Sequence, residues 1–229
     1  MTDRTDLVII LDRSGSMEAR RADHEGGLRS FVRDQRALPG DVRLTFVRFD
    51  SQDPFELVYD RAPVAEVREE RLELVPRGGT PLLDALGETV RHLAARLADA
   101  PERPDLVVCM VITDGQENES RKFTKSEVQK LVAEREAAGW KFLYLGANVD
   151  AFAEAGSLGI TAAASLGYAA SHAGMDAMYA ALMSNTRNAR TAAAVGNAAG
   201  ASAVLNFTEE QRTAAMKGDA PCTTSSSNP

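Results

Sequence analysis

Asp12, Ser14 and Ser16 stand at alternate positions in the stretch LVIILDRSGSM, directly after five apolar residues. Two further stretches carry the same kind of chemistry. In RGGTPLLDAL a pair of glycines lets the backbone approach closely before Thr80, and in VITDG an apolar run ends on Asp114. Two carboxylates and three neutral hydroxyls make an all-oxygen donor set. Such a set suits a hard cation, with Mg²⁺ first and Mn²⁺ or Ca²⁺ as the other choices. Each residue also has an ordinary explanation. Thr80 before Pro81 is a good helix N-cap, Ser16 is another, and Ser14-Gly15 and Asp114-Gly115 are common turn dipeptides. Coincidence of local turns would then have to deliver oxygen ligands from three separate loops.

The elements around these residues decide whether they meet. LVIIL (7–11), LVVCMVI (106–112) and FLYLG (142–146) are nearly continuous apolar runs, as in strands buried on both faces of a parallel sheet. RLTFVRFD (43–50) and FELVYD (55–60) alternate, with SQDP between them, and predict a hairpin that adds one antiparallel edge strand. Leu82, Leu86, Val90, Leu93 and Leu97 mark one amphipathic helix, and Leu28, Phe31, Val32 and Gln35 another. A third, over 123–139, carries its own punctuation. Thr124 and Glu127 form a capping box, Phe123 and Val128 a staple, and Gly139 stands at the αL terminus. Strands alternating with helices predict an α/β fold: a doubly wound, mostly parallel sheet with one antiparallel edge strand. In such sheets ligands gather beyond the carboxyl ends of the strands, so adjacent parallel strands would set Asp12 and Asp114 across one crevice.

Beyond residue 150 the pattern predicts a short helix and turn in DAFAEAGSLGI, a last short strand in TAAASL, and helices over 173–190 and from Thr208 to Gly218. TAAAVGNAAGASAV reads equally as helix or linker. Residues 161–229 hold four basic and four acidic side chains, and 20 of these 69 residues are alanine. That break in composition predicts a metal-binding domain over 1–170, an Ala-rich helical extension over 171–218 and a disordered tail over 219–229.

The formal charge of −7 argues against binding to nucleic acid or to anionic membrane. The 229 residues contain no apolar run of membrane-spanning length, and MTDRTDLVII lacks the shape of a signal peptide. Cys109 and Cys222 read as unpaired thiols of a reducing compartment, which predicts the cytoplasm.

With these motifs in register with the strands, the chain resembles the von Willebrand factor A (vWA) domains. Asp12-Arg-Ser14-Gly-Ser16 matches the family's DxSxS motif, and Thr80 in GGT and Asp114 in TDG match its second and third loops. Together they resemble a complete metal-ion-dependent adhesion site (MIDAS). The resemblance covers roughly 5–165, and LDRSGSM, PRGGTPLLDAL, ITDGQEN and LGANVDAFAEAGSLGI look like the small stand-alone vWA proteins of bacteria and their phages. It implies that Ser14, Ser16 and Thr80 bind the metal through hydroxyls, that Asp12 and Asp114 bind directly or through water, and that an acidic side chain of a protein partner completes the shell. It also suggests an adaptor role beside a MoxR-type AAA+ ATPase. Arg13, Glu117 and Asn118 flank the site and are candidates for partner contact.

Two other functions compete. One is Mg²⁺-dependent phosphoester hydrolysis, with Arg13, Arg77 and Lys122 on phosphate. No Walker-type loop or paired-His metal motif accompanies it, and His24, His92 and His172 are scattered over predicted helices. The expectation is therefore a binding module and not an enzyme. The second alternative is a self-assembling structural protein that associates through its Ala-rich C-terminal helices.

Overall fold

The computed structural model describes residues 4–147 and 151–218. The chain runs β1 (Arg4–Asp12), a 3₁₀ turn (Gly15–Arg20), α1 (Arg21–Ala37), β2 (Asp41–Phe49), β3 (Glu56–Pro63), two further 3₁₀ turns, α2 (Leu82–Ala98), β4 (Leu106–Thr113), α3 (Lys125–Ala137) and β5 (Lys141–Gly146). It continues through α4 (Ala151–Ser157), β6 (Ser165–Gly167), α5 (His172–Ala194), α6 (Ala198–Ala203) and α7 (Glu209–Ala215). The tail expected over 219–229, Cys222, and three residues (148–150) of the LGANVDAFAEAGSLGI motif lie outside the described residues.

The six strands form one sheet in the order β3-β2-β1-β4-β5-β6. All pairs are parallel except β2 with β3, so the alternating hairpin supplies the antiparallel edge as its pattern predicts. The apolar runs are explained by two-sided burial. Leu7, Ile9, Leu11, Val108, Met110 and Ile112 face one apolar layer. Val8, Ile10, Val107, Cys109 and Val111 face the other. One layer is covered by α1 and α5, which contribute Leu28, Phe31, Met175, Met178 and Leu182. The other is covered by α2, α3 and α4, with Leu86, Val90, Leu93, Val132 and Ala155. Strand order reverses at β1, whose chain neighbour β2 lies on one side while β4 lies on the other. The crevice beyond the carboxyl ends of β1 and β4 is therefore the switch point of the sheet.

Local signals are met at α3. Thr124 and Glu127 make both bonds of the capping box, and Gly139 has φ 95°. α7 has the reciprocal box between Thr208 and Gln211. It ends at Ala215, however, short of Gly218. Met216 N–H reaches Arg212 O, Lys217 N–H reaches Ala214 O, and the Lys217 carbonyl accepts from Ser171 Oγ. The tightened last turn and that side-chain bond close the helix without a glycine.

Residues 171–218 are helical over α5, α6 and α7, with a turn at Gly196 (φ 75°) separating the first two. α5 lies along α1 and shares its apolar layer with the strands. Arg190, 2 % exposed, donates to Gln35 O at 3.1 Å and Pro39 O at 2.5 Å, fastening the end of α5 to the end of α1. Phe207 N–H to Ala163 O and Ala169 N–H to Ala215 O tie the last segments to the β6 edge. No described helix is long and apolar enough to cross a membrane.

Candidate metal centre

The five predicted oxygen ligands sit at the carboxyl end of the sheet, delivered by three loops. Asp12 is the last residue of β1 and is fully buried. Its Oδ1 accepts from Ser14 N–H at 2.7 Å, and its Oδ2 accepts from Thr113 Oγ1 at 2.6 Å. Ser14 and Ser16 hydroxyls lie 3.0 Å apart, and Ser16 Oγ donates to Asp114 Oδ1 at 2.5 Å. A β-carbon placed on Gly115 would lie 3.1 Å from Thr80 Oγ1 and 3.9 Å from both Asp12 Oδ2 and Ser16 Oγ. One point beside this glycine of the third loop thus has three oxygens from the other two loops around it, and the missing side chain keeps that point open. Asp12, Ser14 and Thr80 form the buried floor, Asp114 is half-buried, and Ser16 is exposed at the rim.

The helix-cap explanations of Ser14 and Thr80 do not hold. Neither Ser14, ahead of the 3₁₀ turn, nor Pro81, ahead of α2, makes a side-chain cap, and Thr80 is not the N-cap of α2 at all. Thr80 is held instead by Asn118, whose Oδ1 accepts Thr80 N–H at 2.8 Å and whose N–H reaches Thr80 O at 3.2 Å. The loops are stitched together by backbone: Gly15 N–H to Gly78 O at 3.0 Å and Arg77 N–H to Arg13 O at 2.8 Å. Gly78 has φ 65° and packs against Ser51, whose hydroxyl accepts Gly79 N–H at 2.9 Å.

Burial pushes the Asp12 carboxyl up to about 6 against the Thr113 and Ser14 hydrogen bonds that lower it, with Asp114 adding repulsion. Asp114 is likewise raised by burial, with the Ser16 hydroxyl opposing. Two desolvated carboxylates around one opening favour a cation. Among the described residues no group of three or more His, Cys, Asp or Glu side chains is arranged for a metal; the set gathered here is two carboxylates and three hydroxyls. That donor set fits a hard divalent ion.

The flanking residues have specific positions. Arg13 is 4 % exposed and turns away from the cup to pair with Asp50 and Glu56. Arg48 joins through Glu56 at 2.8 Å and Arg77 through Asp50 at 2.9 Å. Burial raises Asp50, but the Arg77 bond, the Gln52 and Asp53 N–H groups and Arg13 hold it below the ordinary carboxylate range. Glu117 is half-buried and accepts from Leu83 N–H and from Ser120 N–H and Oγ–H, fixing the start of α2 to the TDG loop. Asn118 is exposed at the rim while its amide oxygen clamps Thr80. Lys122 pairs with Glu88 at 3.0 Å, so of the three cations considered for phosphate, each is engaged by a carboxylate. His24 and His92 lie within helices and His172 begins one.

Three supporting residues were missed from the sequence. Thr113 holds Asp12, and Asp50 anchors the β1 loop from behind. Asp84, buried in α2, accepts the N–H groups of Arg121, Lys122 and Phe123 at 2.8–2.9 Å and so fixes the far end of the TDG loop. Asp84 is acidic in the first turn of a helix, which ordinarily reads as dipole complementarity, and nothing in its neighbours signals a partner 37 to 39 positions away.

No protein-family model matches the sequence. No curated protein matches it either. Solved structures do match. Proximal thread matrix protein 1 (PTMP1) from the mussel byssus, with a zinc-occupied MIDAS motif, aligns at TM-score 0.58 and 14 % identity over 84 % of this chain and 46 % of that one. The von Willebrand factor type A protein from Catenulispora acidiphila aligns at TM-score 0.58 and 17 % identity over 82 % and 43 %. The fold is the von Willebrand factor A fold. A mutant of the PilB minor pilin from Streptococcus sanguinis shares it at TM-score 0.63 and 11 % identity over 85 % of this chain and 64 % of that one. This chain therefore spans about half the length of PTMP1 and of the Catenulispora protein, and the likeness among all of them is that of the vWA fold. The five oxygen-bearing residues lie where the vWA sheet reverses its strand order.

Proposed function

We propose that the protein is a metal-ion-dependent protein-binding module whose cation is held by Asp12, Ser14, Ser16, Thr80 and Asp114. The observation that carries this reading is the open point beside Gly115 of the third loop, with oxygens of the other two loops within 3.1–3.9 Å of it. When bound, a divalent ion supplies a positive charge that an incoming carboxylate can meet directly. Asp12 and Asp114 only balance that charge, and the hydroxyls of Ser14, Ser16 and Thr80 add none, so affinity for an anion is retained. The graded burial, closed at Asp12 and open at Ser16, leaves the approach on the solvent side. The zinc-occupied MIDAS of PTMP1 on the same fold supports a divalent ion, and Mg²⁺ is the ion proposed for this chain.

The partner proposed is a protein offering Asp or Glu, in the cytoplasm of a bacterial or phage-infected cell. Through the sequence resemblance, it is a MoxR-type AAA+ ATPase that the module adapts to its targets. Binding is preferred to phosphoester hydrolysis because Arg13, Arg77 and Lys122 are each committed to a carboxylate. It is preferred to self-assembly because small residues of the C-terminal helices, Ala181, Ala189, Ala193, Ala201 and Ala215, are buried within this chain's own core.

The test is a pull-down from native lysate with tagged protein in Mg²⁺, in EDTA, and with Asp12→Ala. A partner retained only by wild type in Mg²⁺ is the expected result. Partners indifferent to both changes would move the function away from the cup.

A further inference from the structure

Asp12 can present its free lone pairs to a cation only if something fixes the carboxylate from behind. Its two oxygens accept from different parts of the chain: Oδ1 from Ser14 N–H at 2.7 Å and Oδ2 from Thr113 Oγ1 at 2.6 Å. The first donor belongs to Asp12's own turn and moves with it. The second comes from the neighbouring strand. Leu11 and Ile112 are the last aligned pair of β1 and β4, so Thr113 stands beside Asp12 at the very end of the parallel ladder. Thr113 is fully buried.

The Thr113 hydroxyl has one proton and two acceptors in reach, Asp12 Oδ2 at 2.6 Å and Gly115 O at 3.1 Å. The shorter contact and the charged acceptor assign the proton to Asp12. A lone pair of the same oxygen accepts Gly115 N–H at 3.1 Å. One hydroxyl therefore ties Asp12, from the first motif, to Gly115, the residue that keeps the cup open and follows Asp114 of the third. The Thr113 main chain is itself fixed from the other side: its carbonyl accepts from Ala147 N–H at 3.1 Å and from the buried Tyr168 hydroxyl at 3.3 Å. The tether thus runs from the β6 end of the sheet to the metal ligand.

We propose that Thr113 is a positioning residue of the metal centre, setting the Asp12 carboxylate and the Gly115 turn in one geometry through a single hydroxyl. The inference rests on the metal-cup reading and adds to it a sixth residue that touches no cation. Groups behind a metal's ligands typically contribute ten- to a hundredfold in affinity.

The experiment is a Mn²⁺ titration followed by electron paramagnetic resonance on wild type, Thr113→Val, Thr113→Ser and Asp12→Ala, with Tm in EDTA for each. Valine keeps the shape of threonine and removes the hydroxyl, whereas serine keeps the hydroxyl. The expected result is binding about tenfold weaker or more in Thr113→Val. Thr113→Ser should remain within about threefold of wild type, while Asp12→Ala binds nothing. Thr113→Ala removes the same hydroxyl and makes the same comparison should valine prevent folding. Thr113→Val binding as tightly as wild type overturns the positioning role and leaves the cup intact. Thr113→Ser as weak as Thr113→Val overturns it too, because packing and not the hydroxyl would then be responsible. Wild type that takes up no Mn²⁺ overturns the cup itself.

Discussion

At the scale of single residues, burial decides which side chains carry chemistry and which carry structure. Asp12 and Asp50 are both fully buried carboxylates. Asp50 is answered by two arginines and held low, whereas Asp12 is pushed up by burial, with Asp114 adding repulsion. The first is satisfied within the protein; the second invites a cation. His24 shows the same rule away from the site. It is 1 % exposed between Tyr168 and Tyr179, with its Nδ1 3.2 Å from Tyr179 Oη, and burial lowers it to about 4 although Asp23 pulls upward. A histidine held below its ordinary value stabilises the fold above about pH 6.5, and this contribution is lost as pH falls from there towards 4. The loss is of order 3 kcal/mol. Thermal melts between pH 7.5 and 4 should therefore show a Tm that falls less steeply in His24→Asn than in wild type; parallel curves would contradict the assignment.

Alternation of side chains along an extended segment could have placed Arg13 from the sequence. Asp12 and Ser14 point one way, so Arg13 between them points the other, into the Asp50–Glu56 network. The role of Thr113 was not legible in the same way. A threonine ending a run of Val, Met and Ile reads as strand propensity, and its partner lies 101 positions away.

At the scale of elements, the strands were the most legible because two-sided burial writes itself as uninterrupted apolar sequence. β1, β4 and β5 lie where LVIIL, LVVCMVI and FLYLG predict them, and the antiparallel edge lies where the alternating pair does. α3 was legible from its caps. α5 was legible as a helix over 173–190, but not its seat, since alanine and methionine give helix propensity without saying which face is buried. Its seat is set by a glycine. A β-carbon on Gly27 of α1 would lie 2.1 Å from the Tyr179 ring, so the two helices meet at a distance only glycine allows. Gly27→Ala should destabilise the protein by about 1–3 kcal/mol through forced displacement of α5. Chemical denaturation with the m-value unchanged and the midpoint lowered would show it. A midpoint equal to or above that of wild type, as helix propensity alone would give, would contradict it.

At the scale of the whole molecule, the sheet acts as a scaffold that delivers three loops to one place. Parallel β1 and β4 at the switch point bring together residues about a hundred positions apart, and the 77–80 loop closes over them through Gly15–Gly78 and Arg13–Arg77 backbone bonds. Helices pack on both faces of the sheet, and α5 belongs to that covering. The three motifs were readable because each is local, while the network that holds them in register is made of contacts between distant loops. Protein crystals grown with MnCl₂ and measured at the manganese absorption edge test the central claim most directly. An anomalous peak within coordination distance of the Ser14, Ser16 and Thr80 hydroxyls, absent in Asp12→Ala, is the predicted result. A well-diffracting crystal with no peak there, or with its only strong peak elsewhere, would contradict the account.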